Sequence, residues 1–407
     1  MRAFRCVLTG IFLIALPAAA QQMAGMDMGG MTMPSRGILG PYPMTRDASG
    51  TSWQPDAAPH QGLETMAGDW MLMGHLMLEG IYDSQSGPRG ADKTYLAGML
   101  MGMARRDFGG GDTLNLRLML SPDAFMGKSG YPLLLATGET ANGTAPLIDR
   151  QHPHDLVMEM SASYSHRLSE EASAFLYVGY PGEPALGPTA FMHRASAMDM
   201  PDAPITHHWL DSTHITFGVV TAGLVEGDWK LEASQFTGRE PDQNRFDFDP
   251  IRLDSTSLRL SWNPDTNWSL QTSWGALKSP EQLVPQQNEN RVTASATYVD
   301  GPWAATLAWG LKEESGGHDL NGFLAEAEYK PADPWTLFAR AEWEENDEVS
   351  GGAIARIGET TLGAIHDWRV SERWKLGLGG LYTFDFAPVS YGSDPHGAMI
   401  FTRLVAD

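Results

Sequence analysis

The chain has 407 residues, and its 50 Asp and Glu against 28 Lys and Arg give a formal net charge of −22. Acidity of this size disfavours nucleic acid as a partner and suits a protein that faces cations. After the first twenty residues no apolar run approaches 18 residues, so the sequence predicts no transmembrane helix.

Residues 1–20 are predicted to be a secretory signal peptide. Arg2 and Arg5 supply the charged region, residues 7–16 supply the apolar region, and alanines precede a cut near Gln21. Cys6, the only cysteine, would leave with this segment. We therefore expect an exported mature chain without thiolate metal sites.

Residues 21–62 form a leader rich in Met, Gly and Pro, which we expect on the periplasmic side. Its first part carries five methionines within eleven residues: Met23, Met26, Met28, Met31 and Met33. Thioether sulfur is a soft ligand that suits Cu(I) or Ag(I), so this pattern predicts metal capture. The alternative is a flexible tail of incidental composition. We expect no packed structure in the leader, which is either disordered or inserted into a lumen.

Residues 63–407 are predicted to form one transmembrane antiparallel up-and-down β-barrel, an all-β fold, in the outer membrane of a Gram-negative bacterium. Alternating segments of roughly ten residues are separated by turn signals, and short turns alternate with long loops. A soluble sandwich has no reason for that alternation. The sixteen predicted strands are 69–82, 94–106, 112–121, 156–168, 172–180, 213–225, 228–237, 255–263, 267–278, 290–299, 302–313, 319–330, 334–344, 355–368, 373–385 and 396–405.

The first three strands carry methionine on the face that we assign to the lumen. In the first strand Asp69, Met71, Met73, His75, Met77 and Glu79 alternate with mostly apolar residues. The second strand continues with Met99, Met101 and Met103, and the third adds Met119. The pattern predicts a soft-metal path along the wall. The alternative is that methionine fills gaps in a crowded lumen, as Met158 and Met160 on the apolar face of the fourth strand suggest.

Histidines cluster in the loops on either side of the fourth and fifth strands. Candidate ligands are His152, His154, His193, His207, His208 and His214. Imidazoles with Asp149, Asp155 or Asp211 nearby could bind Cu(II), Zn or Ni at the external mouth, where the loops can fold inward. The alternative is that these residues form hydrogen bonds that pack the two loops together.

No sequence pattern favours catalysis. Asp211, Ser212 and His214 offer the residue types of a triad, but the chain has no Gly-x-Ser-x-Gly elbow, phosphate loop or dinucleotide fingerprint. We predict no enzyme, no catalytic residues and no obligatory cofactor.

A methionine-rich leader ahead of an outer-membrane barrel resembles the outer-membrane copper-resistance proteins of Gram-negative bacteria. The segments Gly40–Trp53 and Asp149–Asp155 are similar to an uncharacterised exported barrel family that is associated with heavy-metal efflux regions. The resemblance implies metal tolerance, and it implies periplasmic metal-efflux components as partners beside outer-membrane lipid.

The favoured prediction is therefore an outer-membrane barrel that handles copper or silver through its leader and its lumen. A general or organic-solute porin is the first alternative, with selectivity set by lumen charges such as Arg117, Arg259, Arg340, Glu342 and Glu344. A structural or adhesive barrel is the second. Barrels of this size can leave an aqueous channel and include trimeric porins, so a homotrimer is among the expected assemblies.

Overall fold

The computed structural model describes residues 36–59, 62–388, 391 and 395–406. Sixteen antiparallel strands form a closed barrel, which we number β1 to β16 in chain order. They are Trp70–Gln85, Asp92–Asp107, Thr113–Leu120, Val157–Arg167, Ala172–Gly179, Val219–Glu226, Trp229–Phe236, Ser255–Trp262, Trp268–Leu277, Glu289–Asp300, Trp303–Glu314, Asp319–Ala332, Trp335–Asn346, Ala355–Arg369, Trp374–Phe386 and His396–Ala406. The predicted fold class and strand count are confirmed.

The barrel closes where β16 pairs antiparallel with β1, from Gly397 opposite Gln85 to Ala406 opposite Leu76. Beyond that point β1 pairs instead with a short leading strand, Leu63–Ala67. No helix among the described residues is long and apolar enough to cross a membrane. The short helical segments are Met44–Arg46, Pro122–Met126, Phe191–His193, His207–Leu210 and Ser212–His214.

The outer face of the barrel is apolar and the inner face is polar. On β3, Leu116 and Leu118 are more than 40% exposed on the outside, whereas Asn115 and Arg117 are buried inside. Tryptophans at the strand ends near the short turns stack on neighbouring rings, as Trp229 does on Trp262 at 4.9 Å. An apolar band with aromatic ends marks a surface that faces lipid.

Three segments fill the lumen. The leader segment, residues 36–59, packs at the end of the barrel that carries the short turns. The first lumenal loop, residues 121–156, and the second lumenal loop, residues 180–218, enter from the opposite end. Most residues of the second loop are buried, although a loop on a protein surface would be exposed.

The leader segment is held by hydrogen bonds and ion pairs. Arg46 binds the Asp56 carboxylate through two nitrogens, at 2.6 and 2.8 Å. The Thr51 hydroxyl accepts a bond from Arg259 of β8 at 2.9 Å. The expectation that the leader has no packed structure is therefore wrong for residues 36–59, because these groups find partners on the inner wall. The alternative of a lumen-inserting leader describes them correctly.

The second lumenal loop fits a notch in the wall. Gly310 and Gly322 face each other on β11 and β12. A Cβ atom on Gly310 would lie 2.4 Å from the Trp209 carbonyl oxygen, and one on Gly322 would lie 2.9 Å from the Trp209 ring. Because only glycine lacks that atom, the two positions let Trp209 lie against the strands. The indole also donates to the Leu320 carbonyl at 3.2 Å.

Two sequence-based assignments are wrong in detail. The strand predicted at 213–225 begins only at Val219, because residues 212–214 form a helical turn inside the lumen. Met158 and Met160 were predicted to share the apolar face, but the pairing with β3 shifts register opposite Met119 and Leu120. The irregularity turns Met158 inward, to 2% exposure, and leaves Met160 on the lipid face.

A single-cysteine experiment tests the seating of the leader segment. In the chain from residue 21, which has no native cysteine, Ser52→Cys places a near-isosteric thiol at a site that is 3% exposed. We expect a maleimide to label it roughly 100-fold more slowly than Ser371→Cys in an exposed turn, since exposure needs a local opening of about 3 kcal/mol. Equal labelling rates in folded barrels would contradict the packed leader.

Candidate functional site

The predicted methionine stripe faces the lumen. Cross-strand pairing places Met73 opposite Met103 and Met77 opposite Met99. Met101 lies between His75 on one side and Met119 on the other. Strands under 5 Å apart bring these thioethers into one patch. Met71, Met73 and Met103 also pack against the apolar side chains of the leader segment.

A cavity of about 110 Å³ lies between this patch, the leader segment and the second lumenal loop. Seven methionines line it: Met44, Met73, Met99, Met101, Met103, Met192 and Met198. His75 and His193 line the same cavity. We call this the methionine cavity. Its lining offers soft sulfur and imidazole nitrogen, the donor set that favours Cu(I)-like ions.

A second, smaller cavity of about 40 Å³ has several of the same walls. Met99, Met192 and Met198 line both cavities, and the smaller one adds Met77, Met200 and the imidazoles of the first lumenal loop. Beside it, Met77, Met99, Met101, Met119, Met158 and Met192 pack around Ile215. The thioethers therefore continue along the wall from the leader segment toward the loop histidines.

Sequence reasoning found the strand methionines and missed those on other elements. It did not assign Met44, Met192 and Met198 to a site, and it placed Met158 on the wrong face. The available signal was that every methionine except Met399 lies within the first 200 residues. The predicted ligands Met23, Met26, Met28, Met31 and Met33 lie outside the described residues, so their role stays a prediction.

His193 separates from the other loop histidines and joins the methionine cavity. Burial, together with the charge of Arg117, lowers the pKa of His193 to about 3, so its ring is neutral at pH 7. Its buried Nε2 atom has no hydrogen-bond partner among the described residues. Arg117 itself is paired with Glu159 at 3.4 Å, which offsets its charge beside the cavity.

The remaining five candidate histidines meet inside the lumen. The rings of His154 and His214 are 5.2 Å apart, and those of His207 and His214 are 5.1 Å apart. His152 lies 6.1 Å from His207 and 5.8 Å from His208, measured between ring centres. The two loops fold into the lumen and bring these five histidines together there, and their role as metal ligands stays a prediction.

Three of these rings are oriented by oxygen atoms. His154 Nδ1 lies 2.8 Å from the Asp123 carboxylate, and His207 Nδ1 lies 2.7 Å from the Asp211 carboxylate. His214 Nδ1 lies 2.8 Å from the Asp211 carbonyl oxygen. These bonds pack the two loops together, as the alternative predicted. The same bonds also direct each Nε2 atom into the cluster, as the ligand hypothesis requires.

His208 is paired with Glu240, whereas its neighbour His207 contacts Asp211. The Nδ1 atom of His208 lies 3.2 Å from Glu240, and both side chains are buried. Burial opposes protonation of this ring, but the attraction of Glu240 outweighs it and raises the pKa of His208 to about 9. His208 and Glu240, with Glu281, could also surround a cation. However, Arg291 already lies 3.6 Å from Glu240, so this group forms an ion-pair network.

The lumen charges that a porin would use for selectivity are buried in contacts. Arg259 pairs with Glu232 at 3.0 Å, and Glu342 accepts a bond from the Thr206 hydroxyl at 2.6 Å. Glu344 accepts a bond from Asn346 at 2.9 Å. Arg340 lies 3.7 Å from Asp202 of the second lumenal loop. Arg340 and Glu342 thus join the wall to the second lumenal loop, whereas the Arg259–Glu232 and Glu344–Asn346 contacts lie within the wall.

Comparisons with known proteins agree on the fold. No protein-family model matches the sequence, and no curated protein does. Among solved structures, Salmonella typhi OmpF, solved in complex with daunomycin, matches with a TM-score of 0.56 and 10% identity over 84% of this chain and 100% of that one. OmpT, an outer membrane protein of Vibrio cholerae, matches with a TM-score of 0.51 and 8% identity over 85% and 100%. An anion-selective porin from Comamonas acidovorans gives 0.50 and 11% over 83% and 99%.

This chain has the fold of a porin-like outer-membrane β-barrel. The lipid-facing band, the closed sixteen-strand sheet and the alternation of short turns with long loops are the features of Gram-negative outer-membrane barrels. The structural likenesses extend to the fold alone. The predicted relation to copper-resistance proteins stays a prediction.

The ion pair of His208 and Glu240 predicts a pH dependence. A pKa raised from 6.5 to about 9 stabilises the folded loop fully below pH 6.5, and this contribution is lost as the pH rises through 9. We expect amide hydrogen exchange in residues 205–217 to accelerate between pH 6.5 and 9.5 beyond the intrinsic rate change. His208→Gln should remove this additional acceleration of exchange. If the additional acceleration persists in the variant, the ion pair of His208 and Glu240 is not its cause.

Proposed function

We propose that this barrel binds soft monovalent metal ions, Cu(I) or Ag(I), in its methionine cavity and passes them along the lumen wall. The observation that carries the proposal is the meeting of seven thioethers and two imidazoles around one cavity. These residues come from the leader segment, two neighbouring strands and the second lumenal loop. Side chains that only filled gaps would not need sulfur at so many separate points of the chain.

The chemistry of the donors supports a soft and singly charged ion. Thioethers carry no charge and prefer Cu(I)-like metals over hard cations. They do not compete with protons, so the affinity of the cavity would depend little on pH. His75 and His193 can complete a coordination sphere of two or three sulfurs. The lining has no acidic cluster that would attract Mg²⁺ or Ca²⁺.

The row of shared methionines supports movement of the ion. Because Met99, Met192 and Met198 line both cavities, an ion held by them can exchange ligands with either set. Ligand exchange between similar sulfur sites needs no redox step. Met44 and Ile38 of the leader segment line the methionine cavity, so this part of the leader belongs to the proposed site.

Leucine variants of the full mature chain test the proposal. Met73→Leu, Met99→Leu and Met101→Leu remove three sulfurs and keep apolar volume, for a stability cost below about 1.5 kcal/mol per site. The matched control is Met66→Leu, Met160→Leu and Met399→Leu, of which the first two are exposed and the third belongs to a separate cluster. A third variant replaces the five leader methionines by leucine.

Binding of Cu(I) is measured by competition with a chromophoric chelator, and binding of Ag(I) by titration. We expect the cavity variant to lose at least about tenfold in affinity for one ion, while the control set binds as the native chain does. The leader variant should lose only the metal ions that the five leader methionines bind, and it should keep those bound in the cavity. Binding that disappears with the leader methionines and is unaffected by the cavity variant would overturn the lumenal site.

A general solute porin has the same fold and is the alternative function. It predicts salt conductance in planar bilayers with selectivity set by lumen charges, and no response to Ag(I). The absence of metal binding in every variant, with stable conductance, would favour it. Periplasmic efflux components and a homotrimer stay predictions.

A further inference from the structure

We propose a second metal site in this barrel, formed by His154 and His214, that binds a divalent cation of borderline softness such as Zn(II) or Cu(II). It is separate from the methionine cavity and does not depend on the proposed soft-metal function. The Nε2 atoms of the two rings face each other at 3.2 Å. Both side chains are buried, at 8% and 9% exposure.

The protons on these rings can be placed from their other contacts. His214 Nδ1 lies 2.8 Å from a carbonyl oxygen, which can only accept, so this nitrogen carries the proton. His154 Nδ1 lies 2.8 Å from the Asp123 carboxylate and donates in the same way. In neutral rings both Nε2 atoms therefore hold lone pairs, and two facing lone pairs repel unless a positive charge lies between them.

A metal ion fits this space. Two Zn–N bonds of about 2.0–2.1 Å that span 3.2 Å enclose an angle of roughly 100°, close to the tetrahedral value. Metal-bound histidines commonly donate their second ring N–H to a carboxylate or a carbonyl oxygen, which sets the tautomer and the ring orientation. His154 donates to a carboxylate, and His214 donates to a carbonyl oxygen. The alternative occupant is a proton, which would leave an imidazolium in a buried position at a cost in solvation.

His207 borders this pair, with its ring centre 5.1 Å from that of His214. Its Nε2 atom is buried and has no hydrogen-bond partner among the described residues, and its Nδ1 donates to the Asp211 carboxylate. Asp211 thus orients His207 through its carboxylate and His214 through its carbonyl group. Arg194 and the Phe191 amide hold the other carboxylate oxygen of Asp211 at 2.8 and 2.9 Å, which makes this support rigid.

The site would join the two loops that fill the lumen. His154 and its partner Asp123 belong to the first lumenal loop, whereas His214, His207 and Asp211 belong to the second. A bound ion would therefore cross-link the loops and should slow their local opening, because a ligand that binds only the closed form stabilises that form. Metal occupancy would set how firmly the lumen is filled.

Binding of Co(II) and Zn(II) to the refolded full mature chain tests the site. Visible absorption of Co(II) reports a tetrahedral sphere, and Zn(II) competition gives the affinity. We expect His154→Gln and His214→Gln each to weaken binding by at least about tenfold, with a smaller loss in His207→Gln. The matched control, His166→Gln, changes an exposed histidine at the opposite end of the barrel and should bind as the native chain does.

The methionine cavity variant should also retain Zn(II) binding, so that failure of this site and failure of the soft-metal function are distinguishable. Because the histidine variants could perturb loop packing, the native chain provides a second readout. Electron paramagnetic resonance of bound Cu(II) should show coupling to at least two imidazole nitrogens. Unchanged affinity in both folded histidine variants, or Cu(II) without imidazole coupling, would overturn the proposal and leave a proton between the rings.

Discussion

Charged side chains on the inner wall of the barrel must find partners, and the contents of the lumen are built around this constraint. Arg194 of the second lumenal loop is 1% exposed and lies 2.6 Å from Glu326 of β12 and 2.8 Å from Asp211. Removing one member of such a set leaves a buried charge without compensation, at a cost of about 3–5 kcal/mol. Wall and loop therefore depend on each other.

The charges divide the lumen into two chemical regions. Ion pairs between loop and wall gather on the strands from β7 to β16, as between Arg340 and Asp202 or between Arg194 and Glu326. The wall formed by β1 to β3 carries mainly thioethers toward the second loop. Uncharged soft donors thus collect where the loop approaches the wall without an ion pair.

One short turn, Phe191–His193, lies between the two candidate metal sites. Met192 and His193 line the methionine cavity, whereas the Phe191 ring lies 6.3 Å from His154 and 5.6 Å from His207 between ring centres. The next residue is Arg194, which anchors the turn to the wall. A single anchored segment therefore places Met192 and His193 at the sulfur-rich cavity and the Phe191 ring against the imidazole cluster.

The sequence by itself determined the barrel, its sixteen strands and the inward face of Met71 to Met119. Alternation with period two is local, so it can be read from neighbouring residues. It also placed most of the loop histidines in two loops that lie side by side. Only the tertiary structure decided that residues 36–59 enter the lumen and that Met158 turns inward. It also decided that His193 lines the methionine cavity with Met44 and Met198, apart from the other loop histidines. These outcomes depend on contacts between distant parts of the chain, on a register shift and on buried charge pairing, and none of these has a local sequence period.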